Sequence, residues 1–369
     1  MKRIAIVFIL CVHIIYPPQG ASGEGLRRGL FVSVIQTPPV LSSRQDIDKL
    51  IDFARRSRIG ILFVQIYYGN KAWFPSHIAD DGPYRTLLSN MPEDPFAYLI
   101  AQAHKNSIEV HAWMNILSLG ANKDAPFIKK YGAGILTKNL KEKGPIEDYA
   151  IDDQYFLEPG DLRVREELSN ILDEALRAYP GLDGVQFDYI RYPDEDPAYG
   201  YTQTNIERYR KATGNAVVDE DSPVWKDWKR AQVTEVLEAM AERARSLRPG
   251  IKVSATGCMP YHRAYLEAFQ DWPSWIERGL VEYVTVMSYS SVPDEFGWTI
   301  LMAKAKTADF SKVNIAIGAY KLVRSPDVFE QELRIAEDSG AGGIAVFHYG
   351  NIVENPALGR CLIEDRDKR

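Results

Sequence analysis

An aspartate closes a short apolar run, and an arginine follows three residues later, in Asp183-Gly184-Val185-Gln186-Phe187-Asp188-Tyr189-Ile190-Arg191-Tyr192-Pro193. A carboxylate at the end of a strand can serve as a nucleophile or a base. An adjacent cation such as Arg191 favours its ionised form, and an ion pair between the two would also fix the loop. Tyrosines beside such a carboxylate suit a sugar ring, which has an apolar face and a polar rim. Glycosidic bonds are usually cleaved by two carboxyl groups. One protonates the leaving oxygen, and the other attacks the anomeric carbon or activates water. Asp188 is the first candidate. Asp271 and Glu158 are candidates for the second. Each also has a plainer reading, Asp271 as the N-cap of a helix containing Trp275 and Ile276, Glu158 as a cap or first-turn acid. The run Asp194-Glu195-Asp196 reads as a solvated loop, with the alternative that one of its acids folds over the cleft.

Trp113, Tyr189, Tyr192 and Tyr289 are candidates for stacking on sugar rings, although any one of them alone is as readily core. Asn115 and Arg191 end or follow strands and are assigned to substrate binding. Lys321 and Asn351, after later strands, are placed to hydrogen-bond hydroxyls.

These residues need a frame. Eight short apolar runs suit parallel strands covered on both sides: Phe31–Ile35, Ile61–Tyr67, Glu109–Asn115, Gly184–Asp188, Lys252–Gly257, Tyr283–Tyr289, Asn314–Tyr320 and Gly343–Tyr349. Helical patterns alternate with them. Ser43 caps one that carries Ile47, Leu50, Ile51 and Ala54. Another places Val164, Leu168, Ile171, Leu172 and Ala175 on one face before Pro180-Gly181. Ser325-Pro326 and Asn355-Pro356 open two more. Such alternation predicts a (β/α)8 TIM barrel with long loops after strands two, three and four. A doubly wound open sheet would want a glycine-rich phosphate loop after an early strand, and none is present. The long stretches 69–94, 118–159 and 191–223 fall at the carboxyl end of the strands, where barrels build their clefts.

Side chains alternate along a strand. With Val185 and Phe187 outward, Gln186 and Asp188 point into the barrel. By the same rule His111, Trp113 and Asn115 point inward from strand three, and Phe63, Gln65 and Tyr67 from strand two. Buried polar groups require hydrogen-bond partners, so these residues predict an internal network. His111, deeper in its strand, reads as structural.

The chain has 369 residues, with 44 Lys+Arg against 50 Asp+Glu. The net charge of −6 argues against nucleic acid and gives no reason to expect a membrane-surface binder. Residues 1–23 read as a secretory signal: Lys2 and Arg3, then an apolar run from Ile4 to Tyr16, then Pro17-Pro18 and small residues. An uncleaved anchor is the alternative. The expectation is an exported protein, periplasmic or extracellular, with residues 24–369 as one domain. The six histidines show no metal-ligand spacing, there is no cysteine cluster, and no cofactor is expected. No Gly-x-Ser-x-Gly elbow occurs, which argues against serine hydrolase chemistry.

The chain resembles the glycosyl hydrolase-like family ten of exported bacterial barrel proteins. The matching pieces are Phe63-Val64-Gln65-Ile66, Trp73-Phe74-Pro75-Ser76, His111-Ala112-Trp113-Met114-Asn115, Leu157-Glu158-Pro159-Gly160 with Val164-Arg165, the Asp183 to Pro193 segment, Asp271-Trp272 and Met287-Ser288-Tyr289. The resemblance implies a (β/α)8 fold and hydrolysis of O-glycosyl bonds in a polysaccharide, with peptidoglycan glycan strands stripped of peptides as the substrate of one family branch. Two departures stand out. Glu158 replaces an expected Asp, and Tyr67 stands where Arg is common, which would alter the substrate pocket. A non-catalytic saccharide-binding barrel is the alternative function. A barrel lyase or isomerase is disfavoured by the lack of paired histidines or an evident metal site.

Overall fold

The computed structural model describes residues 26–363 apart from 142 and 195. The segment read as a secretory signal lies outside the described residues. Eight parallel strands form the centre: β1 (Arg27–Val32), β2 (Ile61–Tyr68), β3 (Glu109–Asn115), β4 (Gly184–Asp188), β5 (Lys252–Gly257), β6 (Tyr283–Ser288), β7 (Val313–Gly318) and β8 (Gly343–Phe347). Each pairs with its sequence neighbours, and β1 pairs with both β8 and β2, so the sheet closes on itself. Helices cover the outside, giving a (β/α)8 barrel.

Strand limits shift from expectation for local reasons. β1 begins earlier, at Arg27, because its two arginines find partners. Arg28 pairs with Glu337 at 2.8 Å, and Arg27 lies over the Tyr283 ring. β7 and β8 end sooner because Ala319–Leu322 and Tyr349–Glu354 turn at once into short helices.

Ser43 caps the helix Arg44–Arg56 by accepting from the Asp46 amide. The helix Leu162–Ala178 buries Val164, Leu168, Ile171, Leu172 and Ala175 against the sheet. Truncating one such leucine to alanine would cost about 2–5 kcal/mol. Facing them, Val185 and Phe187 of β4 are buried outside the barrel. The barrel interior holds a separate apolar cluster that includes Phe31, Phe63, Trp113 and Tyr283. His111 sits low in this interior, between Glu109 and the Tyr283 hydroxyl, each at 3.2 Å. Gly184 lies beside it, and a Cβ there would come within 2.5 Å of the imidazole.

The alternation rule fails once. The register of β2 against β3 shifts between Gln65 and Tyr67, so Tyr67 pairs with Met114. The extra residue turns Tyr67 out of the barrel into the helix layer. There its hydroxyl accepts from Asn70. Tyr68, not Tyr67, faces the cleft. The departure at Tyr67 therefore does not reshape the cleft directly.

Among the described residues no helix is long and apolar enough to cross a membrane.

Candidate active site

A cleft of about 840 Å³ opens at the carboxyl ends of the strands. Asp188, the last residue of β4, lies in its floor and is 5 % exposed. Four donors converge on its carboxylate. Oδ1 accepts from the Tyr189 amide at 2.7 Å and from the Thr256 hydroxyl. Oδ2 accepts from Trp113 Nε1 at 3.1 Å and Asn115 Nδ2 at 3.4 Å. All four partners present an N–H or O–H, so both carboxylate oxygens are held as acceptors in a fixed orientation. Adjacent strands supply the donors: Asn115 is the register partner of Asp188, and Thr256 is in β5. Tyr189 takes a left-handed φ of 56°, directly after the strand. That conformation costs on the order of 1–3 kcal/mol in a non-glycine residue and places strain beside the carboxylate.

The network continues behind the floor. Gln65 Nε2 donates to Asn115 Oδ1 at 2.8 Å, and Gln65 Oε1 accepts from Ser33 Oγ at 2.8 Å.

The expected ion pair between Asp188 and Arg191 does not form. Arg191 instead stacks its guanidinium on the Tyr189 ring, 4.1 Å from the centroid, in the cleft wall. Tyr189 and Tyr289 also line the cleft. Burial raises the hydroxyl pKa of both, which keeps them protonated as donors. Lys321 lines the cleft and donates to the Tyr289 carbonyl at 3.0 Å.

Four expected site residues lie elsewhere. Glu158 is fully buried behind the β4 loop, where it accepts from Tyr192 Oη, from Thr137 Oγ1 at 3.1 Å and from the Gly160 amide at 3.2 Å. Burial pushes its pKa up despite those bonds. The cap of helix Leu162–Ala178 is Asp161, not Glu158. Tyr192 is buried with Glu158, so it is unavailable to stack on a sugar. Asp271 lies in an outer surface groove with Arg230 and Arg278, where it accepts from Tyr261 Oη at 2.8 Å. It makes no capping bond to its own helix. Asn351 closes a capping box, with Oδ1 accepting from the His348 amide at 3.3 Å. Glu158, Asp271 and Asn351 are held away from the cleft by hydroxyl or backbone partners, and Tyr192 by the Glu158 carboxylate.

Several cleft residues escaped the sequence reading, among them Thr256, Tyr68 and His348, and Asp194 takes the course given there as the alternative. Asp194 belongs to the acidic run assigned to a solvated loop. It folds over the cleft and pairs with Arg263 at 2.9 Å. His348 accepts the Gly350 amide on Nδ1 at 3.1 Å, which leaves Nε2 to carry the proton of the neutral ring. Burial lowers its pKa and favours that neutral form. The position of Asp194, six residues beyond Asp188, was the available signal. His348 offered only its place after β8.

The three long loops contribute unequally. Of them, among the described residues, only the loop after β4 lines the cleft, through Arg191 and Asp194. The loop after β3 buttresses it instead: the Gly200 and Tyr201 amides both donate to the Lys138 carbonyl. Lys229 fastens the same segment from below, donating to the Pro197 and Tyr199 carbonyls at 2.6 and 3.2 Å. Among the described residues there is no group of three or more side chains able to hold a metal ion.

The sequence profile described as glycosyl hydrolase-like 10 matches residues 28–332. The chain belongs to that family. It is 28% identical over 264 residues to glycosyl hydrolase DigH of Escherichia coli K12, covering 66% of this chain and 57% of DigH. It is 22% identical over 279 residues to glycosyl hydrolase YngK of Bacillus subtilis, covering 69% of this chain and 50% of YngK. The alignments thus span little more than half the length of these relatives. The fold is similar to the PgaB (BpsB) glycoside hydrolase domain from Bordetella bronchiseptica, with a TM-score of 0.70 at 14% identity over 91% of this chain and 98% of that one. It is also similar to α-L-fucosidase isoenzyme 2 from Paenibacillus thiaminolyticus, with a TM-score of 0.61 at 13% identity over 92% of this chain and 48% of that one. At such identities the likeness shows a shared barrel.

Proposed function

We propose that this member of the glycosyl hydrolase-like 10 family is an exported glycoside hydrolase of a polysaccharide, with peptide-free peptidoglycan glycan strands as the first substrate to test. One observation carries the reading: a single carboxylate, Asp188, gripped by four donors in the floor of an aromatic-walled cleft at the catalytic end of the barrel. A fixed anion there would stabilise positive charge developing on the sugar ring, or attack the anomeric carbon. Asp194 is the other carboxylate that lines the cleft among the described residues, and we assign it the proton transfer at the leaving oxygen. Tyr289 and Tyr189 offer faces and hydroxyls to the sugar. Export is supported by the charged and apolar start of the sequence.

The test is digestion of peptide-free glycan strands and a wider polysaccharide panel by the natural chain, with products read by mass spectrometry. Asp188→Asn should fold normally and lose activity on every substrate. Asp194→Asn should lose activity on natural glycans yet keep more of it on aryl glycosides, whose leaving groups need no proton. Full activity in Asp188→Asn overturns the assignment. Glycan binding that survives in Asp188→Asn, with no turnover by the natural chain, identifies a saccharide-binding barrel. The pairing of Asp194 with Arg263 is the observation that favours this second reading.

A further inference from the structure

His348 is the first residue after β8, and β8 stands across the closed barrel from β4, the strand that ends in Asp188. Its side chain therefore enters the cleft from the wall opposite the floor carboxylate. The ring is tightly placed. Nδ1 accepts the Gly350 amide at 3.1 Å, and the His348 amide donates to Asn351 Oδ1 at 3.3 Å. The Phe347 ring packs edge-on, with 5.2 Å between centroids. Gly350 leaves room for this arrangement, since a Cβ there would come within 2.7 Å of Cε1 and 3.0 Å of Nδ1.

Holding Nδ1 as an acceptor makes the other nitrogen of the neutral ring a donor. Among the described residues no hydrogen-bond partner meets Nε2. That atom is not sealed from solvent either, so its N–H faces the open cleft. A helix cap needs only an acceptor, which Asn, Asp or Ser would supply and usually does. The residue present caps through one nitrogen and carries an unused donor on the other.

We infer that His348 binds the saccharide, donating from Nε2 to a neutral oxygen on the side of the sugar away from Asp188. The inference rests on the saccharide reading above and adds a binding residue to its cleft. Hydroxyl and carbonyl oxygens both suit such a donor. Burial favours the neutral ring that keeps Nδ1 free to accept.

The two amide side chains separate capping from binding. In His348→Asn, Oδ1 stands near the place of Nδ1 and keeps the cap, while nothing reaches the place of Nε2. In His348→Gln, the amide nitrogen reaches toward the cleft and the cap acceptor is lost. Calorimetry measures binding of peptide-free glycan oligosaccharides and of the wider polysaccharide panel, with melting curves for each protein. His348→Asn should melt with the natural chain yet bind roughly 3- to 10-fold more weakly, as expected for the loss of one neutral hydrogen bond. His348→Gln should melt lower and bind more tightly than His348→Asn. Unchanged affinity in His348→Asn overturns the inference, as does the reverse order of the two variants, which would leave His348 only its cap. No binding of any panel member by the natural chain would sink the saccharide reading, and this inference with it. Binding without turnover, read from the products, would count against the hydrolase reading alone.

Discussion

Gln65 donates to Asn115 across 2.8 Å, and that one bond decides which end of the Asn115 amide meets Asp188. With Asn115 Oδ1 taken, Nδ2 is the end left to donate to Oδ2 of Asp188. Ser33 holds the opposite end of Gln65, so β1, β2, β3 and β4 align one carboxylate in series. Gln65 itself touches the floor of the cleft but not Asp188.

This makes Gln65 a positioning residue. Gln65→Ala would leave Asn115 Oδ1 without its donor and free the amide to turn. The expected loss is roughly 10- to 100-fold in kcat, corresponding to about 1–3 kcal/mol, with KM little changed. Kinetics on the substrate found by the glycan panel, together with a normal melting curve, check it. A change confined to KM would place Gln65 in substrate binding instead.

Trp113 tests the direct contact. Its indole packs edge-on against Phe31 and Phe347 while Nε1 reaches Asp188. Trp113→Phe keeps most of the ring packing and removes the donor. About a 10-fold fall in kcat is expected, in keeping with one hydrogen bond to a charged group. An unaltered kcat would show that the other donors suffice to hold the carboxylate.

Glu158 separates a brace from a catalyst. The structure ties it to Tyr192, Thr137 and Gly160, away from the cleft. Glu158→Gln should lower stability by about 1–3 kcal/mol, since one buried oxygen becomes an amide facing donors. Below the melting transition its activity should stay within a few-fold of the natural chain. Loss of activity without loss of stability would return Glu158 to the list of candidate catalysts.

The barrel was legible because each strand is a continuous apolar run and the helices between them keep 3.6-residue spacing. Asp188, Trp113 and Asn115 were legible because alternation needs only one correct phase, which Val185 and Phe187 supply. Tyr67 was not, since a single extra residue in β2 reverses the phase and leaves no mark in composition. Glu158 and Asp194 were misplaced for a different reason. A loop's return path depends on contacts between distant segments, here Tyr192 with Glu158 and Arg263 with Asp194. A motif match favoured Glu158, and membership of an acidic run counted against Asp194. Arg191 was placed at the cleft, but its partner was wrong, because the left-handed turn at Tyr189 stacks it on that ring.

Glu332 gives a pH dependence that needs no substrate. Its carboxyl is fully buried in the helix Pro326–Asp338, and neither oxygen has a hydrogen-bond partner. Burial raises its pKa from 4.5 to about 8, against a smaller lowering by Lys321. The sign follows from proton counting. Between these two values the unfolded chain releases the proton and the folded chain keeps it, so stability falls as pH rises from 4.5 to about 8 and levels off above. Glu332→Gln carries no charge in either state and should abolish that slope. At pH 8 the variant should be more stable by on the order of 1–3 kcal/mol, a rise of several degrees in Tm. At pH 4, where the natural side chain is protonated in both states, the two proteins should melt together. Melting curves at pH values from 4 to 9 decide it. Parallel profiles for the two proteins would mean that the folded carboxyl is solvated or paired by a local rearrangement.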